Sequence, residues 1–538
     1  MNHSRLSLFL AAHGWRRSLA IPLAAGAGLL PLLLLGLVLT PKVASANGVV
    51  TSCNNAGLTS ALAGGGLVTF NCGPSPVTIT VSSQKVITQP TTIDGGTLGQ
   101  VILSGGGITR VFSVNSGASL TLLNLVVRDG HDQSGGGGGA VFVDHARIAL
   151  TNTLFVSNTS TCCGGALYVT NGSQAIVSGS TFAGNQALVS GHGGAIYNRA
   201  SMLIVDSTLH DNRAGNSAAI ENYGPLTLTR VSLYSNFSRD WAGALYTEGP
   251  ASLVDVAIYS NTVLGPNGWA GGMDDESSGT LTLDRVQIYA NHVISGSPNY
   301  AGGGLTVFYG VLTLTNSLVY NNVADLGPGG GIHVSFGATL TVISSAIYGN
   351  RALAGPGGGL DLRASGGIPA LTLINTTVSG NSATVGGGLS TDNLEYATLS
   401  YTTFYSNHAA AANNVTGTVH IANSIIAGSG NGNCLGFATS YGDNLEDGNS
   451  CHFITGDLTD TNPLLAPLAF NGGPTPTHAL LVGSPAIDTA SVPLCPATDQ
   501  RGVARPVDGD GVGGARCDIG AFEYQRFFPR LWLSLIRR

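Results

Sequence analysis

Apolar and polar positions alternate in short runs through residues 119–430. Leu-Thr-Leu-Thr-Arg at 226–230, Leu-Thr-Leu-Thr-Asn at 312–316 and Leu-Thr-Leu-Ile-Asn at 371–375 carry the period of two expected of a strand with one buried face. A second phrase recurs between these runs: an apolar residue, two variable positions, then asparagine, as in FVSN (155–158), FAGN (182–185), LYSN (233–236), IYSN (258–261), IYGN (347–350) and FYSN (404–407). The asparagines Asn158, Asn185, Asn212, Asn236, Asn261, Asn291, Asn322, Asn350, Asn381 and Asn407 follow one another at about 28 residues, a period that points to stacked structural units. No stretch of ten or more residues here repeats apolar positions at helical spacing, which excludes a helical solenoid.

One cycle, Gly329 to Asn350, reads as a glycine corner, a short strand, a turn, a second strand, a third strand and the asparagine. Stacked with each strand pairing to its counterpart about 4.8 Å away, such cycles predict an all-β, right-handed parallel β-helix of about eleven coils with capped ends. The asparagines are expected to take a left-handed backbone at the corner and to link their amides in a ladder. The glycine runs, such as Gly302–Gly304 and Gly386–Gly388, read as turns; no helix follows them and none contains a lysine, so they are not phosphate loops. Insertions between asparagine and glycines are short before Gly164 and longer before Gly271 and Gly302, placing variable loops on one edge.

Composition adds a compartment. The chain is 43% hydrophobic and only 9% charged, which argues for a folded body. Residues 1–46 read as a signal peptide: Arg5, Arg16 and Arg17 precede an apolar run at 18–40, and Ala44-Ser45-Ala46 offers a cleavage site, an uncleaved anchor being the alternative. Without this segment 18 basic residues face 29 acidic ones, and no basic stripe is visible, so nucleic acid is excluded as a partner. The eight cysteines suggest local pairs Cys53 with Cys72, Cys434 with Cys451 and Cys495 with Cys517, each in a terminal region, fitting a secreted or cell-surface location. Adjacent Cys162 and Cys163 form either a vicinal disulfide or two thiols. Residues 47–118 are expected to cap the first coils, with a short helix over 56–64; 431–524 form a disulfide-containing C-terminal module and 525–538 a tail.

GGAV (138–141), GGAL (164–167) and GGAI (193–196), alternating with FVSN, FAGN and FYSN, resemble the repeats of the polymorphic outer membrane protein family of bacterial adhesins. That family carries a C-terminal transmembrane barrel; no series of ten-residue alternating segments follows residue 430, so none is expected here. The segments NPLLAPLAFNGGPTPTHALLVGSPAIDTA (462–490), TDQRGVARPVDGDG (498–511) and CDIGAFEY (517–524) are similar to the end region of secreted bacterial β-helix proteins with a choice-of-anchor module. The resemblance implies a right-handed β-helix exposed on, or released from, a bacterial cell.

Numbering the strand after each glycine corner yields two outward columns. The first contains Tyr197, Glu221, Tyr246, Asp274, Thr306, His333 and Asp361; the second contains Arg199, Tyr223, Glu248, Glu276, Phe308, Ser335 and Arg363. Carboxylates one coil apart raise each other's pKa or hold a cation, and tyrosines offer platforms for sugar rings. Tyr197, Tyr223, Tyr246, Glu248, Asp274 and Glu276 are therefore candidate ligand contacts, with an ordinary solvated surface as the plain alternative. Glu221, Glu248, Asp274, Glu276 and Arg199 are candidates for glycoside hydrolysis or a calcium-assisted lyase reaction. Asp275 should point inward, which warns of a shifted coil. Asp508 and Asp510, alternating with glycine and followed by Asp518 and Glu523, are a candidate calcium turn, though the turn needs no metal. The reading is a surface-binding protein for a polysaccharide or cell-surface ligand with no required cofactor; a pectate-lyase-like polysaccharide lyase or hydrolase is the alternative. The oligomeric state is not legible.

Overall fold

The alternating runs become strands whose buried positions are the Leu, Val and Ile of each run. In the computed structural model, residues 47–526 are described, apart from 189, 393–395, 412, 431, 455 and 491–494; the expected signal peptide and residues 527–538 of the tail lie outside the described residues. One coil runs through strands Leu245–Thr247, Ala251–Val254, Ala257–Tyr259 and Thr262–Val263. Each pairs in parallel with its counterpart on the next coil: Leu245 with Met273, Leu253 with Leu283, Ile258 with Ile288, Thr262 with His292. The result is a parallel β-solenoid of about 13 turns, longer than the expected eleven, with sheets of 28, 15 and 11 strands. The strands of the 11-stranded sheet, two residues long except Ser382–Val385 and His408–Ala411, are too short to leave a periodic signature in the sequence.

The core is a set of aliphatic columns: Leu228, Leu253, Leu283, Leu314, Val342 and Leu373 are all sealed from solvent on successive coils. The asparagine ladder forms as expected. The Asn212 side-chain Nδ2 donates to Asn236 Oδ1 (2.9 Å) and to the Phe182 carbonyl (3.0 Å), while its Oδ1 accepts from the backbone N and Nδ2 of Asn185, both at 3.0 Å. Every polar atom of that buried amide is thus satisfied, and the same pattern continues from Asn158 to Asn407. The ladder then passes through Asn414 to Asn433. The backbone expectation is corrected: the left-handed residue is the one before each asparagine, such as Ser157, Asp211, Ser235 and Ser260, leaving the asparagine free to turn its amide inward. A second left-handed column, Asn152, Asp206, Arg230, Asp255, Arg285 and Asn316, marks the corner one strand earlier.

Glycine is required where coils touch. A Cβ on Gly165 would lie 2.2 Å from the Gly194 carbonyl oxygen and 2.5 Å from the Gln186 nitrogen, backbone atoms that cannot yield.

The first coils are capped by a helix at Asn55–Leu62, its N-cap Asn54 accepting from Gly57 N, and Leu58 is buried under it. Cys53–Cys72, Cys434–Cys451 and Cys495–Cys517 are bonded as expected, and Cys162–Cys163 is a vicinal disulfide. The C-terminal residues fold back along the flank of the 15-stranded sheet. Gln500 Oε1 accepts from the Thr377 hydroxyl at 2.6 Å, His478 Nε2 meets Ser379 Oγ at 2.9 Å, Ala521 N donates to Thr403 Oγ1, and Thr475 Oγ1 donates to the Ser344 carbonyl. No helix among the described residues is long and apolar enough to cross a membrane.

Candidate functional site

The strands after the glycine corners place the two outward columns in the expected register. Tyr197 pairs with Glu221, Glu221 with Tyr246, Tyr246 with Asp274, Asp274 with Thr306, and Thr306 with His333. Asp275 points inward without shifting the coil; it continues an internal polar row in which Asn198 Nδ2 donates to Asn222 Oδ1 (2.7 Å) and Asn222 Nδ2 to Thr247 Oγ1 (3.0 Å). Burial pushes Asp275 to about 6.

The expected exposure of the first column is corrected. Glu221 and Asp274 are 0% exposed, and Tyr246 and Tyr197 are buried, because the edge loops fold over them. Trp241, Trp269 and Tyr300 form the roof. Trp241 and Trp269 stack with ring centroids 5.7 Å apart and planes 4° from parallel; Trp241 lies 4.9 Å from Tyr246 and 5.4 Å from His192. Tyr300 lies 6.1 Å from Phe308. The loops are fastened to the column below: Thr306 Oγ1 donates to the Trp269 carbonyl and accepts from Gly302 N. The roof had a sequence signal, the repeated Trp-Ala-Gly of 241–243 and 269–271 and Tyr-Ala-Gly of 300–302, which the period of the strands does not reveal.

Under the roof the acids divide. Glu221 Oε1 accepts from the Tyr223 hydroxyl (2.8 Å) and lies 2.7 Å from His192 Nδ1, an interaction that raises the His192 pKa. Asp274 has no partner for either oxygen among the described residues, and burial, aided by the charges of Glu276 and Asp275, raises it well above the usual carboxylate range. A sealed carboxyl without a donor is held in its neutral form. The first part of the second column reaches solvent, Arg199 and Glu248 exposed and Tyr223 and Glu276 half-buried, whereas Phe308 and Ser335 farther along are buried against the expectation. The Arg199 guanidinium lies 5.4 Å from the Tyr223 ring centre. The Tyr246 hydroxyl sits between two carboxylates, 2.7 Å from Glu248 Oε1 and 3.0 Å from Glu276 Oε2. Burial and the Glu248 charge raise the Glu276 pKa against this hydrogen bond, which lowers it. Phenol pKa values of Tyr223 and Tyr246 are raised, chiefly by burial, so both remain neutral donors.

Farther along, His333 Nδ1 lies 3.0 Å from Asp361 Oδ2, and both are sealed. In the C-terminal module, Asp488 joins Asp508 and Asp510, with one ligand atom from each lying within 4.8 Å of the others. Asp488 Oδ2 accepts from Gly509 N and Asp510 N, so the carboxylate already caps the turn. Asp518 and Glu523 face elsewhere, into a buried charge cluster with Arg505, where Arg505 Nε lies 3.3 Å from Glu523 Oε2; burial pushes Asp518 to about 8.

Residues 152–170 and 179–199 match the family description "Chlamydia polymorphic membrane protein (Chlamydia_PMP) repeat". The chain is similar to a solved structure titled "Crystal structure of pectate lyase Pel9A", at 13% identity over 85% of this chain and 88% of that one, with a TM-score of 0.28, too low to carry an argument. No curated protein matches the chain significantly.

Proposed function

We propose that this chain works outside the cytoplasm, secreted or on a bacterial surface, as an adhesin-type solenoid that holds a polysaccharide or another cell-surface ligand along the roofed column. The observation that carries the reading is the pairing of two stacked, half-exposed indoles, Trp241 and Trp269, with the solvent-reaching Arg199, Tyr223, Glu248 and Glu276. Flat aromatic faces accept sugar rings, and the charged groups beside them fix hydroxyls. The polymorphic membrane protein repeat match and four disulfides support an extracytoplasmic setting. The C-terminal module, packed on the flank of the coils, is read as the platform from which a surface-attachment signal extends. Calcium has a candidate seat at Asp488, Asp508 and Asp510, where it would brace a turn; a melting temperature indifferent to calcium rejects it.

The test is a glycan array on the secreted protein, followed by affinity measurement for Trp269→Ala and Tyr223→Ala on the glycans that bind. Unchanged affinity in both variants overturns the reading. A second reading, hydrolase or lyase, is favoured by one feature: Glu276, with a raised pKa, and exposed Glu248 share the Tyr246 hydroxyl, an arrangement suited to one acid and one base. Reducing-sugar and unsaturated-product assays decide it: turnover lost in Glu276→Gln establishes catalysis, and binding without turnover rejects it.

A further inference from the structure

A cleft of about 410 Å³ opens on the outer face of the 15-stranded sheet, away from the roofed column, where that sheet meets Pro474 of the C-terminal module. Its rim is the second left-handed corner. Asp206, Arg230, Asp255 and Arg285 occupy the same position on four successive coils, each with φ between 50° and 55°. Charge alternates along the row. Arg230 grips Asp206 with Nε and Nη2 at 2.5 and 2.9 Å, and Arg285 grips Asp255 with the same two atoms at 2.7 and 3.1 Å. Gln287 and Asn316 continue the lining. Two residues farther along the same strands, on the same outer face, runs a stripe of half-buried tyrosines, Tyr234, Tyr259, Tyr289, Tyr320 and Tyr348, stacked ring on ring at 4.7 to 4.9 Å. Their faces are occupied by one another, so the stripe offers ring edges and hydroxyls. Burial raises the pKa of Tyr259, Tyr289, Tyr320 and Tyr348, which keeps these hydroxyls protonated.

We infer that this cleft is a second glycan site, taking a short run of an uncharged, linear hexose polymer laid across the coils. Three features of the face select that chemistry. Both arginines are already neutralised by bidentate partners, so a polyanion finds no unpaired charge row to replace its counterions. The strands of this sheet are paired on both sides from Ser232–Tyr234 to Leu318–Tyr320, so an extended peptide finds no free backbone edge to join. The two guanidinium–carboxylate pairs, planar and fixed in orientation, each span two coils and so recur at about 9.6 Å, close to the advance of two sugars in an extended hexose chain, with the Asn316 amide, held by Asp284, and the exposed Gln287 amide beside them. Such groups pair with vicinal hydroxyls, and Pro474 closes one end.

The full secreted chain is titrated calorimetrically with cellohexaose, mannohexaose and laminarihexaose as neutral probes and with oligogalacturonate as the anionic one. At least one neutral hexasaccharide is expected to bind, with affinity falling about tenfold in Arg285→Ala and in Gln287→Ala and unchanged in Arg147→Ala, an exposed arginine outside both the cleft and the roofed column. Gln287 is exposed on its strand, so its truncation leaves the fold intact, which a melting curve verifies. No binding of any neutral probe overturns the inference. So does binding that Arg285→Ala and Gln287→Ala leave unchanged while Trp269→Ala abolishes it, which assigns all recognition to the roofed column. Binding of oligogalacturonate alone, weakening with salt, also overturns it, in favour of a polyanion.

Discussion

The Tyr246 hydroxyl donates across coils to Glu276, 3.0 Å away and 30 residues later in the chain. The same oxygen lies 2.7 Å from Glu248, and a single phenol proton cannot serve two ionised carboxylates at once. Tyr246→Phe keeps the buried ring and removes the donor. Because the hydrogen bond holds the Glu276 pKa down against burial, its loss raises that pKa further; titration of carboxyl carbons in protein labelled at glutamate checks the direction.

Asp275 gives the fold a pH dependence of defined sign. Its pKa is about 6 when folded and near 3.8 when unfolded, so between these values the folded state binds the extra proton and stability falls as pH rises. The loss amounts to roughly 3 kcal/mol once pH exceeds about 6. Asp275→Asn removes it: urea unfolding at a series of pH values is expected to show variant and wild type alike near about pH 4 and the variant ahead above about pH 6. Decline that continues above about pH 6 in both belongs to the other carboxyls that burial raises, Asp274 and Asp518 among them.

Removing one rung of the asparagine ladder strands several buried groups together. Asn212→Ala leaves the Asn185 backbone N and Nδ2 without their acceptor and the Phe182 carbonyl without its donor. At about 1–3 kcal/mol for each buried group left unpaired, the cost is roughly 3 kcal/mol or more. Asn212→Asp restores the acceptor and not the donor, and its denaturation midpoint is expected to remain well below wild type.

Two glycines separate contact from conformation. Gly165→Ala drives a methyl into backbone on two sides and is expected to cost several kcal/mol or to block folding. Gly380, at φ 63° with open space around its missing Cβ, tolerates alanine at about 1 kcal/mol, the cost of the left-handed backbone alone. Thermal melts of the two variants check the ranking.

Gln500 fastens the C-terminal module through Thr377, Thr475 and the Pro476 carbonyl, all buried. Gln500→Ala is expected to raise hydrogen exchange in strand Thr377–Ser379 and across residues 475–478 while leaving the ladder from Asn158 to Asn322 protected.

What the sequence determined is what one coil repeats to the next. A period of two sets which side of a strand faces the core, and one unit per coil sets the partner, so the pairing of Tyr246 with Asp274 and the linking of Asn185 to Asn212 were legible. The disulfide pairs of the two ends were legible from local spacing instead, their cysteines lying 17 to 22 residues apart. Burial of the outward column was not legible, because its cover comes from edge loops with no strand periodicity, and whether Trp269 turns inward or outward is fixed only when Thr306 takes its carbonyl. Nor was the seat of the C-terminal module, where Gln500 meets Thr377 across 123 residues. A repeat carries its own register, because each unit meets its copy; a roof and a docked flank are decided by contacts between unlike segments, which no local spacing encodes.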